Sequence, residues 1–139
     1  MAHRKSTARP SSKRSWLAVH IRMKNMQDKL VGRYGEQIAA DFLRKKGYTI
    51  LASNYTTHVG EIDLIARKGE VVAFVEVKTR KSQGYLPASA AVGKEKQRRI
   101  VRSAQLWIAE NESCEQFSFD IIEVYTEDKT IRHIRNAFV

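Results

Sequence analysis

Cysteine is nearly absent from this 139-residue chain. Cys114 stands alone, so no internal disulfide can form. With four scattered histidines, one cysteine also argues against a structural zinc site. These counts fit a reducing, cytoplasmic compartment. Long apolar runs are missing too. The longest, Val71 to Val75, falls far short of the roughly 20 residues that a membrane-spanning helix needs. No apolar stretch suits a secretory signal, no Gly-rich phosphate loop of the Walker type occurs, and no internal repeat is visible. The remaining length suits one domain. Such a chain buries roughly two-thirds of its unfolded surface and needs no covalent staple.

Acidic residues are missing from residues 1–27, which hold seven basic groups: Arg4, Lys5, Arg9, Lys13, Arg14, Arg22 and Lys24. The other 18 basic residues and all 15 acids lie in residues 28–139, so the tail supplies most of the net charge of +10. A basic arm without acids suits phosphate, on nucleic acid or an anionic surface. A solubilising disordered tail has the same composition, and an organellar transit peptide shares its Arg- and Ser-rich character. Residues 1–14 read as disordered, and Trp16 to Met26 as a short, loosely attached helix. The folded domain is expected over residues 28–139.

Asp28 is a plausible N-cap for a helix in which Leu30, Val31, Tyr34, Ile38 and Phe42 recur at helical spacing and face a core. Lys45 and Lys46 suit its C-terminal end, and Gly47 stops it. Strands are predicted at residues 48–54, 60–67 and 70–78, with a tight turn at Lys68-Gly69 and a polar loop from Thr79 to about Pro87. A helix follows at 93–110, then strands at 117–125 and 131–135. This order predicts an α/β fold, a mixed central sheet flanked by helices.

The strand Val71 to Val75 is apolar on both faces, as a covered central strand is. Glu76 and Lys78 follow on the face of Val72 and Phe74. Charges at the end of a covered strand are costly unless they are paired or bind a metal. The tight turn makes the neighbouring strand antiparallel, with Glu61, Asp63 and Ile65 on one face, so Asp63 and Glu76 can present carboxylates to one point. Their repulsion is relieved by a proton, a cationic side chain or a divalent metal. Oxygen donors with room for water suit Mg²⁺ or Mn²⁺. Lys78 could then orient a water or stabilise charge on phosphorus, which is the equipment of phosphodiester hydrolysis. On spacing alone, a cross-strand salt bridge on a solvated face competes with this reading. Glu36 lies at the edge of the first helix's apolar face, within reach of the pair, or else is an ordinary boundary glutamate.

The second predicted helix opens with Lys94, Lys96, Arg98, Arg99 and Arg102. Cations beside helix N-terminal N–H groups bind phosphate, although a solvated basic face reads the same way. Lys96 and Gln97 could touch a substrate near the metal, and Arg80 and Lys81 extend the basic rim. Cys114 is flanked by Glu112 and Glu115, which blunts it as a nucleophile. His58 and His133 have no partner visible in the sequence.

Gly35-Glu36, Gly60-Glu61-Ile62-Asp63-Leu64-Ile65, Phe74-Val75-Glu76-Val77-Lys78-Thr79-Arg80 and the ending Asn136-Ala137-Phe138 together resemble the YraN-like family of uncharacterised bacterial proteins. The resemblance runs from Asp28 to Val139. That family looks like a branch of the PD-(D/E)XK nuclease superfamily, related to restriction endonucleases and Holliday-junction resolvases. The resemblance implies a restriction-endonuclease-like core and a metal-dependent DNA endonuclease with Mg²⁺ or Mn²⁺ as cofactor. Branched or damaged DNA would be the substrate, and a homodimer is implied by resolvase-like relatives. By motif, Glu36 resembles the first-helix glutamate, Asp63 the metal-binding aspartate, Glu76 and Lys78 the Glu-x-Lys pair, and Gln97 a helix-borne polar residue. Ile62 stands where that superfamily often has proline. Two other readings compete: a nucleic-acid-binding module with a vestigial site, and an interaction protein whose basic surface meets an acidic partner.

Overall fold

The computed structural model describes residues 13–82, 92–111 and 116–139, with side chains from residue 16 onward. Cys114 and most of the polar loop before the second helix lie outside the described residues. The elements run α1 (Lys13–Lys45), β1 (Thr49–Thr56), β2 (Glu61–Lys68), β3 (Val71–Arg80), α2 (Lys94–Asn111), β4 (Gln116–Tyr125) and β5 (Thr130–Ile134). This is the expected order of helix, three strands, helix and two strands, with the ends of the strands and of α2 within two residues of those expected. Among the described residues no helix is long and apolar enough to cross a membrane.

The chain divides into two units, Met1–Val31 and Gly32–Val139. In the first, the described residues are helical, and its apolar side chains from Trp16 to Val31 are exposed. Leu30 and Val31 therefore do not face a core, contrary to the sequence expectation, and the helix begins well before Asp28.

In the second unit the strands form one five-stranded sheet in the order β1-β2-β3-β4-β5. β3 and β4 pair in parallel across the α2 crossover, and the other neighbours are antiparallel. One apolar cluster joins Ala39, Ala40 and Leu43 of α1 to Leu64, Ala66, Ala73, Val75, Ile122 and Val124 of the sheet. A second joins Ile100, Ala104 and Trp107 of α2 to Ile65, Val72, Phe74 and Ile121. The sheet is thus covered on both faces, which is why β3 is apolar throughout its first half.

Tyr34, also expected in the core, is exposed. The helix face that meets the sheet is Gly35, Ala39, Ala40 and Leu43, with Ile38 and Phe42 at its borders. Successive helical residues are rotated by about 100°, so a stripe through Gly35 turns Tyr34 outward. Small residues win that stripe because α1 closes tightly on the end of β3. A Cβ on Gly35 would sit 2.0 Å from the Thr79 hydroxyl. Gly47, at φ 94°, ends the helix: its N–H bonds the Arg44 carbonyl, and the Tyr48 N–H bonds that of Leu43.

Candidate metal-dependent active site

The β2–β3 ladder runs from Lys68↔Val71 to Leu64↔Val75. β3 continues beside β4 to Arg80. The next outward residue of β2 is Asp63, and its carboxylate takes over from the ladder. Oδ2 accepts the backbone N–H of Val77 at 2.8 Å. Asp63 is thereby fixed beside Glu76, with which it shares a side-chain hydrogen bond. Glu76 is buried at 3% exposure, and Asp63 is largely buried.

Burial and the neighbouring Glu76 charge push the Asp63 carboxyl up to about 8, against the opposing Val77 hydrogen bond. Two cations answer the pair from different elements. Lys96 of α2 places Nζ 2.5 Å from Glu76 Oε1, and Lys78 places its own 3.7 Å from the same oxygen. Burial, and then the Lys96 charge, hold the Lys78 ammonium below its ordinary pKa. Burial acts against the Lys96 ammonium as well, but the Glu76 hydrogen bond and charge outweigh it and raise that group. Glu36 approaches from α1. Burial raises its carboxyl, a hydrogen bond with Asn54 opposes this, and the charges of Glu61 and Glu76 add to the rise.

The structure therefore brings Glu36, Asp63, Glu76 and Lys78 together, and adds Lys96. It does not bring Gln97 to them. The Gln97 amide donates to the Val92 carbonyl at 2.9 Å, and the residue lines a separate shallow groove with Lys94, Arg98 and Arg102. Lys96 and Gln97 are neighbours on α2, so the helix turns one to the carboxylates and the other away. Arg99 and Arg98 pair with Glu95 at 3.5 and 3.8 Å on an exposed surface, and Lys81 is exposed. Arg80 is not a simple rim cation. Its Nε lies 3.4 Å from the buried Glu123, which also accepts the Tyr125 hydroxyl at 2.7 Å. Glu61 is exposed at the start of β2.

A second polar cluster lies on β4 and β5. Asp120 accepts His133 Nε2 at 2.8 Å, the Asn136 N–H at 3.1 Å and the Ser118 hydroxyl. Burial alone would raise this carboxyl, but His133 and the other donors hold it below the usual carboxylate range. His133 thus has a partner that the sequence did not reveal. The Ser118 hydroxyl is bonded to the aspartate rather than to the imidazole.

Among the described residues no group of three or more His, Cys, Asp and Glu side chains is arranged to hold a metal. The donors available at the site are two converging carboxylates. Mg²⁺ is commonly held by one or two carboxylates, with water and phosphate oxygens completing the shell. The pair offers such a donor set, with Asp63 fixed by the Val77 N–H and Glu76 facing Lys96 and Lys78.

The model of "Uncharacterised protein family UPF0102" matches residues 35–124. The chain is 46% identical over 112 residues to a UPF0102 protein of Alkaliphilus metalliredigens, covering 79% of this chain and 98% of that one. It is 47% identical over 122 residues to a UPF0102 protein of Caldanaerobacter subterraneus, covering 84% and 100%. A UPF0102 protein of Clostridium tetani is 38% identical over 119 residues, covering 82% and 98%. The matched stretch contains Glu36, Asp63, Glu76, Lys78 and Lys96.

Proposed function

The chain belongs to the UPF0102 family, and we propose that it is a metal-dependent DNA endonuclease that hydrolyses phosphodiester bonds, with branched or damaged DNA as substrate. The observation that carries this reading is the convergence of Asp63 and Glu76 at the frayed end of a covered sheet, with Lys78 and Lys96 beside them. Charge is concentrated there at the cost of desolvation, and functional sites are where such costs collect.

Asp63 and Glu76 would hold Mg²⁺ or Mn²⁺. When bound, that cation supplies Lewis-acid polarisation of a phosphate and acidifies water. Lys78, with its lowered pKa, orients the attacking water. Lys96 offsets the negative charge that grows on the phosphorus oxygens. The P–O bond to the leaving strand breaks as the water oxygen bonds to phosphorus. The attacking water gives its proton to the Glu36 carboxylate, and the leaving oxygen takes a proton from solvent. Glu36, whose raised carboxyl lies near the pair, can carry the water proton.

The chain has the charge to meet DNA in the acid-free stretch 1–27 and in the basic row on α2. Labelled linear, nicked, flapped and four-way-junction DNA, incubated with Mg²⁺, Mn²⁺ or EDTA, tests the proposal. Cleavage that needs the metal and disappears in Asp63→Ala supports it. Cleavage in EDTA, or an unimpaired Asp63→Ala protein, counts against it.

One observation favours a second reading, a DNA-binding module without cleavage. The Lys96 ammonium already occupies Glu76 Oε1. If every substrate stays intact yet shifts on a gel in a salt-sensitive way, this reading takes the lead.

A further inference from the structure

A groove of about 570 Å³ lies between α1 and the β1–β2 edge of the sheet. This volume falls within the range of small-molecule sites. The groove shares a wall with the carboxylate cluster, because Glu36 belongs to both. Asn54 forms the facing part of that wall and bonds to Glu36. A side-chain amide has more donors and acceptors than that one bond uses.

The rest of the lining is polar and chemically specific. Gln37 adds a second amide, and Ser53 a hydroxyl. Paired amides present a donor and an acceptor side by side, the arrangement that reads the edge of a nucleobase. Arg33 and Arg44 are cations in the same lining. Arg44 is held by Asp41 at 3.0 Å. Asn54 has a left-handed backbone at φ 52°, and the β1–β2 register shifts between Ile50 and Ala52. Both irregularities lie in β1, the strand that supplies Ser53 and Asn54. Strain of this kind persists where the surrounding structure holds it in place.

We propose that this groove binds one unpaired nucleotide of the DNA substrate, next to the phosphodiester held at Asp63 and Glu76. The amides of Asn54 and Gln37 meet the base edge, and Arg33 meets a flanking phosphate. This rests on the nuclease reading for the substrate's identity. It adds that the protein selects DNA with a nucleotide that is already unstacked, since extruding a paired base costs a few kcal/mol.

The test uses the full chain in EDTA, where metal-dependent cleavage plays no part. Two fluorescently labelled duplexes of one sequence are compared, one fully paired and one with a single bulged 2-aminopurine. Binding about tenfold tighter to the bulged duplex is expected, the discrimination of one well-made base-edge contact. The 2-aminopurine emission should change on binding. Gln37→Trp fills the groove from an exposed helical position, and Asn54→Gly removes an amide while keeping a residue suited to positive φ. Each should reduce the preference to less than about twofold, since the base-edge contact is lost. Equal binding to the two duplexes, or a preference retained in both variants, overturns the proposal. Bulge-selective binding without cleavage on adding Mg²⁺ would leave the groove standing and remove the nuclease reading. Cleavage indifferent to the bulge would do the reverse.

Discussion

The backbone N–H of Val77 donates to Asp63 Oδ2 at 2.8 Å, one step beyond the last ladder pair of β2 and β3, Leu64↔Val75. A side chain here does the work of a strand carbonyl. The bond fixes the carboxylate without using it up, since Oδ1 stays available to Glu76 or a cation. It also ties the site to the sheet, so whatever disturbs Asp63 is felt as stability.

That coupling predicts a pH dependence in metal-free protein. The Asp63 carboxyl rises from an ordinary 3.8 to about 8 on folding. The folded state therefore holds a proton that the unfolded state has released between those values. Its stabilising contribution is full below pH 3.8 and is lost as pH rises toward about 8. Urea unfolding in EDTA should show stability falling across this window, by on the order of a few kcal/mol. Asp63→Asn, which keeps an oxygen for Val77 and carries no charge, should flatten the curve and be the more stable protein at pH 8. A curve that rises with pH in the wild type would contradict this.

On the nuclease reading, a divalent cation would compete with that proton. Mg²⁺ or Mn²⁺ should raise the melting temperature more at pH 8 than at pH 5, and Asp63→Asn should lose most of the effect. Equal shifts at the two pH values would show that the metal binds elsewhere.

Lys96 holds Glu76 Oε1 at 2.5 Å and is itself half exposed. Lys96→Met should cost about 1–2 kcal/mol, since a buried carboxylate loses its shorter ion pair but keeps Lys78. It should also tighten Mn²⁺ binding by roughly tenfold, because one competing positive charge is gone. Isothermal titration calorimetry measures this. Weaker Mn²⁺ binding in the variant would mean that Lys96 supports the cation rather than competing with it.

Gly35 and Thr79 set the distance between α1 and the end of β3. Gly35→Ala would place a Cβ 2.0 Å from Thr79 Oγ1. Overpacking of about 1–3 kcal/mol should exceed the roughly 1 kcal/mol that alanine gains in a helix. Thr79→Ala in the same chain should restore part of the loss, because the offending hydroxyl is removed. A double-mutant cycle by chemical denaturation reads the coupling. Additive effects would show that α1 simply shifts.

Much of this arrangement was legible in the residues. The apolar run before Glu76 placed β3 in the middle of the sheet. Alternation and the Lys68-Gly69 turn then brought Asp63 to Glu76 and aimed Lys78 with them. Side chains whose partners come from distant elements were harder to assign. Lys96 and Gln97 are adjacent, and only the docking of α2 decides which meets the carboxylates. Asp120 and His133 meet through β4–β5 pairing. Glu123 reads as one acid in an apolar strand until Arg80 is found beside it. On α1, size misled: Leu30 and Tyr34 follow helical spacing but are exposed, and close packing at Thr79 admits Gly35.

Nicking of supercoiled plasmid by the purified full chain tests the carboxylate pair most directly. Wild type, Asp63→Asn and Glu76→Gln are compared in Mn²⁺, Mg²⁺ and EDTA, with plasmid binding recorded in parallel. Wild-type nicking that needs the metal is expected, with a fall of at least about a hundredfold in each variant while binding persists, as for loss of a group that stabilises the transition state. Nicking that survives in both variants, or none by the wild type with either metal, would contradict a nuclease built on Asp63 and Glu76.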